Sequence, residues 1–206
     1  MSETVIEVFA DVVCPFTHVG LRRLVDRRRE LGRDDVRLLV RALPLEVING
    51  EPMDPAAAAG KVALLRDQVS PELFAEFDAS QFPATSLPAL ALTGAGYRRD
   101  PATGEAIALE LRRLLFDDGV DVSRPDVLAD VAERHGVPIG DPADEAGVLA
   151  DLEESRERGV IGSPHFFTPG GQNLFCPSLQ LTKTDDGLDI TMDMHRFNQL
   201  VDSSFR

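Results

Sequence analysis

Cys14 is the residue in this chain whose neighbours could turn a side chain into a reagent. It lies in DVVCPFTHVG, residues 11–20. Before it, Val5, Ile6, Val8 and Phe9 form an apolar, β-prone stretch broken by acids, and after it Leu21, Leu24, Val25 and Leu31 recur at three- and four-residue spacing among arginines. A strand, a Cys-Pro turn and an amphipathic helix are expected in that order. The sulfur then stands at a helix N-terminus, where unpaired backbone N–H groups and the helix dipole favour an anion, so the thiolate forms more easily than in a free cysteine. Cys14 is a candidate nucleophile.

The second cysteine, Cys176, is too far along the chain to form a Cys-x-x-Cys pair, and two cysteines make no disulfide framework. Both are expected to rest as thiols in a reducing compartment. The histidines, His18, His135, His165 and His195, show no metal-ligand spacing, so no metal is expected. The chain has 206 residues, 43% hydrophobic, with 21 Lys and Arg against 35 Asp and Glu for a formal charge of −14. A surface so acidic repels a phosphate backbone, which argues against nucleic acid as a partner. No apolar run reaches the length of a membrane span, and the first residues carry no basic leader, so a cytoplasmic protein without a membrane partner is expected.

The elements that must hold Cys14 follow from periodicity. VRLLVRAL at 36–43 suits a buried second strand, completing a βαβ opening. From 56 to about 136 the pattern is helical with almost no strand signal, and helices are expected at 55–69, 71–79, 86–94, 101–116 and 124–135, several of them starting at proline. The triplet in TGAGYR lacks a third glycine and a preceding strand, so it is no nucleotide loop. A helix at 143–158 ends at Gly159, HFFT and NLFCPSL read as an antiparallel hairpin turning at 169–172, and a last helix covers 192–201. The fold class is α/β. Residues 1–50 and 137–206 form one body, and 51–136 a large all-helical insertion across one end of its sheet.

Ser163-Pro164 stands between a helix and the first hairpin strand, where proline can neither extend a helix nor pair within a sheet. A tight turn is required there, and a cis or a trans peptide could make it. The hairpin register returns Cys176 to the end of the sheet that carries Pro164. Cys176 is therefore either a second thiol for Cys14 or a small buried hydrophobe. His18 follows Cys14 by one helical turn, close enough to support a thiolate if protonated, with packing as the other reading. His165 is placed beside Pro164 for substrate contact.

Four segments in this order, DVVCPFTHVG, VRALPLEVING, ELRRLLFDDGVDVSRPDVLADVAERHGV and GVIGSPHFF, resemble the DsbA-like branch of the thioredoxin superfamily, in particular its FrnE-type oxidoreductases. Kappa-class glutathione transferases and hydroxychromene-carboxylate isomerases are more distant relatives. The resemblance spans nearly the whole chain and implies a thioredoxin-like fold. It places Cys14 at the solvent-reachable first cysteine of a redox motif, Pro15 and Phe16 at its dipeptide, and Thr17 at the resolving cysteine. It makes Pro164 a cis-proline against the sulfur and the Ser163 backbone a place for an extended substrate.

Thr17 departs from that pattern, because threonine can neither attack nor release a mixed disulfide. It can offer a hydroxyl and an N–H to the sulfur, leaving one-cysteine chemistry. The expected function is thiol-dependent oxidoreduction, with mixed disulfides to a small thiol or a thiol-containing protein. No cofactor is expected to be tightly bound, and a low-molecular-weight thiol is the cosubstrate. A thiol-dependent transferase or isomerase, and a non-catalytic binding module, are the alternatives, and a homodimer is left open.

Overall fold

A computed structural model describes residues 4–184 and 187–205, without the Pro142 side chain. The chain runs β1 (Thr4–Ala10), α1 (Pro15–Glu30), β2 (Val36–Ala42), α2 (Leu45–Asn49), α3 (Pro55–Gln68), a 3-10 turn (Ala79–Gln81), α4 (Leu87–Arg99), α5 (Pro101–Phe116) and α6 (Pro125–His135). It closes with α7 (Pro142–Glu157), β3 (His165–Phe167), β4 (Asn173–Phe175), β5 (Leu179–Thr184), β6 (Gly187–Met192) and α8 (Met194–Ser204). Between 51 and 136 the described chain contains no strand.

Four strands form the main sheet in the order β2-β1-β3-β4. β1 pairs parallel with β2, Val8 opposite Val40, and antiparallel with β3, Phe9 opposite His165. The period-two alternation of β1 sends its residues to two faces. Ile6, Val8 and Ala10 pack with Leu21, Leu24 and Val25 of α1 and with Leu200 and Val201 of α8, whereas Phe9 packs with Leu43 and with Leu152 of α7. Helices therefore cover both faces, in a thioredoxin-like α/β arrangement.

β2 is an edge strand, and its free backbone groups are capped by side chains from the helices beside it. Leu38 N–H donates to Glu105 Oε2 (2.8 Å) of α5, Val40 N–H to the Tyr97 hydroxyl (2.9 Å) of α4, and Ala42 N–H to Asp151 Oδ2 (2.8 Å) of α7. The Tyr97 hydroxyl in turn donates to the Leu38 carbonyl (2.8 Å). These bonds satisfy groups that would otherwise template association with another chain. They also fasten the helical region to the sheet.

The structure corrects the expected helix at 71–79. That segment is irregular, and Phe74 takes a left-handed backbone (φ 64°). Asp117 captures it, accepting Phe74 N–H at Oδ1 (2.9 Å) and Glu76 N–H at its carbonyl (3.1 Å), while the Phe74 ring packs edge-on to Phe116. Tertiary bonding here replaces the helical ladder. The helix expected at 86–94 runs on to Arg99, and NLFCPSL is a strand only to Phe175, because Cys176 is itself left-handed (φ 43°). The β5–β6 hairpin is an addition to the expected elements. Its strands are mostly exposed, so they lack the apolar pattern that marks a buried strand. No helix among the described residues is long and apolar enough to cross a membrane.

α4 and α5 cross closely at glycines. A Cβ on Gly104 would lie 2.2 Å from Cγ of Tyr97, and one on Gly96 would lie 3.0 Å from the Gly104 Cα. Replacing Gly104 by Ala forces the Tyr97 ring away and strips two bonds from the β2 edge. A loss of about 1–3 kcal/mol is expected from overpacking of this kind. Thermal unfolding followed by far-UV circular dichroism should show the lowered midpoint, whereas Gly60→Ala, with nothing within 4 Å, should leave it unchanged or raise it.

Candidate active site

The turn from β1 into α1 is built around Asp11. Its carboxylate is fully buried and accepts Val13 N–H (3.2 Å) at Oδ1, and Leu45 N–H (2.7 Å) and the Ser86 hydroxyl (3.4 Å) at Oδ2. Burial pushes its pKa up to about 6, more than those hydrogen bonds and the nearby Arg112 charge pull it down. The turn delivers Cys14 to the N-cap of α1 in an extended conformation, followed by Pro15 at the first helical position. The Cys14 carbonyl accepts Thr17 N–H (3.1 Å) and His18 N–H (3.3 Å). No side chain, the Cys14 sulfur included, hydrogen-bonds the first N–H groups of the helix.

Facing it is the loop before β3. The Ser163–Pro164 peptide is cis, and the Cys14 thiol donates to the Ser163 carbonyl (Sγ to O 3.3 Å). The Ser163 hydroxyl accepts Asp11 N–H (3.0 Å) and shares a hydrogen bond with the Thr17 hydroxyl (2.9 Å). The Pro164 carbonyl accepts Cys176 N–H (2.8 Å). Successive carbonyls of one loop thus hold the side chain of Cys14 and the backbone of Cys176. α1 faces this loop at Gly20, where an added Cβ would make ordinary contact with the Pro164 ring (3.9 Å) and Ser178 Oγ (3.7 Å).

The residues singled out from sequence are brought together, but several face differently from expectation. Cys14 keeps only 3% of its surface exposed, so it is largely covered instead of standing open to solvent. Thr17 is fully buried and spends its hydroxyl on Ser163, not on the sulfur. Phe16 is half-buried against the helical region. His18 turns away from Cys14 and donates to Asp117 Oδ1 (3.0 Å), its ring between Phe74 and Phe116. Although burial raises the Asp117 pKa, the His18 bond and charge bring it below its ordinary value.

His165 is buried rather than presented to a substrate. Its Nδ1 accepts Ile161 N–H (3.2 Å), its Nε2 pairs with Asn173 Oδ1, and burial lowers its pKa, so it is neutral. Cys176 lies beside Pro164 as its register implied, but burial, and then the proximity of Cys14, push its thiol up to about 12. Both cysteines are free thiols.

Two residues of this cluster were not singled out from the sequence. Asp11 looked like a strand-end acid, and only the fold shows how many donors converge on it. Arg112 could have been found: it interrupts the apolar face of α5 between Ala108 and Phe116, one turn to either side, and is fully buried. Burial lowers its pKa to about 10, against the opposing pull of the nearby Asp11 charge.

This geometry can be set beside known proteins. No curated protein matches the sequence. Among solved structures, a protein described as a probable DsbA oxidoreductase from Streptomyces coelicolor superposes with TM-score 0.66 at 18% identity, covering 98% of this chain and 90% of that one. The cytosolic disulfide reductase DsbM from Pseudomonas aeruginosa gives 0.56 at 15% identity over 98% and 95%. A 2-hydroxychromene-2-carboxylate isomerase gives 0.58 at 16% over 83% and 88%. At these identities the likeness is one of fold. The family model of the DSBA-like thioredoxin domain matches residues 5–186, and the chain belongs to that family.

Proposed function

We propose that this protein is a one-cysteine thiol–disulfide oxidoreductase acting through Cys14. The observation that carries the reading is the Cys14 sulfur at the N-cap of α1, 3.3 Å from the carbonyl that precedes Pro164. The Cys14 thiolate attacks a disulfide R–S–S–R′, forming Cys14–S–S–R and releasing R′S⁻. A second thiolate, R″S⁻, then attacks the R sulfur, giving R–S–S–R″ and restoring Cys14. The protein ends each cycle in the redox state in which it began.

A small intracellular thiol suits the second step, since position 17 carries no thiol and the Cys176 thiol stays protonated at neutral pH. The substrates are then small or protein thiols in a cytoplasmic setting. In this reading residues 1–50 and 137–206 are the catalytic body and 51–136 the helical insertion. Pro15, Phe16, Ser163 and Pro164 surround the reacting sulfur. A thiol-dependent transferase or isomerase is favoured instead if glutathione binds saturably without any disulfide turnover, since Thr17 rules out the dithiol cycle in either case.

Incubation with glutathione disulfide should add one glutathione to the intact mass, on the Cys14 peptide. Cys14→Ser should abolish both the adduct and glutathione-dependent turnover of a small mixed disulfide, and activity surviving that change would overturn the reading. Because the sulfur is covered, the modification rate should fall steeply with reagent size, methyl methanethiosulfonate reacting at least tenfold faster than a polymer-linked disulfide.

Thr17→Cys tests the missing partner. Thr17 N–H reaches the Cys14 carbonyl (3.1 Å), and a disulfide needs a Cα separation of roughly 4.4–6.8 Å. The variant should form a disulfide between Cys14 and the introduced thiol under mild oxidation, read as a loss of two titratable thiols, and should reduce protein disulfides with dithiol kinetics. Its fold should be weakened by about 1–3 kcal/mol, because Ser163 loses a buried hydroxyl partner.

A further inference from the structure

A cavity of about 410 Å³ lies where α4, α6 and the first turn of α7 meet. Its wall is mostly apolar, with Ala91 and Leu92 from α4, Leu128 from α6 and Ile139 from the α6–α7 link. That volume falls in the range of roughly 300–1,000 Å³ that takes a small organic molecule. A second cavity of about 240 Å³, walled in part by Leu149, shares Pro88 and Glu145 with the first. Through these shared residues the two adjoin, and Glu145 stands at their seam. Ile139 is 53% exposed and Leu149 59%, so apolar surface is left in water at both cavities.

The polar part of the larger wall is anionic. Apart from Ser123, whose hydroxyl donates to Asp121 Oδ1 (2.6 Å), its polar side chains are the carboxylates of Asp141, Asp144 and Glu145. Asp144 is buried and paired with Arg98 through Oδ1, and its Oδ2 has no partner among the described residues. Asp141 caps α7, its Oδ1 accepting Ala143 N–H (2.9 Å), and its Oδ2 lies 3.8 Å from the same arginine. Glu145 is exposed and has neither a hydrogen bond nor an ion pair among the described residues. Three carboxylates thus share one cation. Arg98 does not line the cavity, and neither does any other described lysine, arginine or histidine. Charge alone would not single out this place on a chain of formal charge −14; the apolar volume beside the charges does.

We propose that this cavity is a binding site for an amphiphilic amine, a small molecule with an apolar body and a protonated amino group. The body packs against Leu92, Leu128 and Ile139, and the ammonium lies against Glu145 and Asp141. An anion is repelled by this wall, and a neutral apolar guest leaves its carboxylates without a counter-charge, whereas a cationic amphiphile complements both parts. The site is made by α4, α6 and α7, and its occupancy does not call on Cys14.

The test titrates the full chain, at neutral pH and low salt, with three probes of one size: phenylbutylamine, phenylbutanol and phenylbutyrate. Binding is followed by amide NMR correlation spectra. The amine should bind saturably and move the amides of 88–92, 125–128 and 139–149, about tenfold more tightly than phenylbutyrate and about threefold more tightly than phenylbutanol, as partly exposed charge pairs allow. High salt should weaken the amine and not the alcohol. Glu145→Gln changes an exposed side chain and should keep the fold; it should weaken the amine about threefold and leave the alcohol as it was. Asp141→Asn, which keeps a capping side chain, should weaken the amine in the same way. An amine that gives no saturable shift, or shifts only amides outside these segments, overturns the proposal. An alcohol that binds as tightly as the amine overturns it too, since the carboxylates then select nothing, and so does a Glu145→Gln, Asp141→Asn double variant with wild-type affinity for the amine.

Discussion

Ser163 is the joint on which the rest of the site depends. Its hydroxyl ties the end of β1, through Asp11 N–H, to the first turn of α1, through Thr17, and its carbonyl receives the Cys14 thiol. Three segments distant in sequence are fixed by one small side chain and its own backbone oxygen. Each partner is buried, so none of these bonds competes with water, and losing any one leaves a polar group stranded. The position of the sulfur is thus set by packing between elements more than by the Cys-Pro turn alone.

The same joint explains how Thr17 differs from a second cysteine. A threonine at this position is more than a missing thiol: it is a structural partner that draws the loop before β3 onto α1. Burial of Cys14 and occupation of Thr17 go together, because the loop that covers the sulfur is the loop that Thr17 holds. Cys176 adds to the closure from the other side, its left-handed backbone placing its N–H on the Pro164 carbonyl.

Much of this is legible in the sequence, for identifiable reasons. β1, α1 and β2 carry strong periodicity that places them nearly to the residue, and proline at the first helical position marks α3, α5 and α6. The meeting of Cys14 with Ser163-Pro164 is legible through the family resemblance, and the return of Cys176 to the Pro164 end of the sheet through the hairpin. Directions of side chains are not. His18 and His165 are near the expected place but are claimed by Asp117 and by Asn173 with the Ile161 backbone, partners that no local pattern announces. The segment 71–79 has helical composition, yet the Asp117 side chain and backbone override it. Arg112 is visible as a charge on an apolar face, but its bond to the Ala108 carbonyl and its two unpartnered nitrogens are seen only in the fold.

Asp117 joins three parts of the molecule: it receives His18 from α1, Phe74 N–H at its side chain and Glu76 N–H at its carbonyl. The consequence is mechanical. The first turn of α1 and the irregular stretch 73–77 are clamped together by these bonds. The opposite wall is fastened too: Gly159, Val160 and Ile161 donate their N–H groups to the Arg156 carbonyl (3.2 Å), the Ser155 carbonyl (2.9 Å) and His165 Nδ1 (3.2 Å), and Val160 packs with Phe9, Leu43 and Leu152. The sulfur is thus gripped between two walls whose backbones are already hydrogen-bonded.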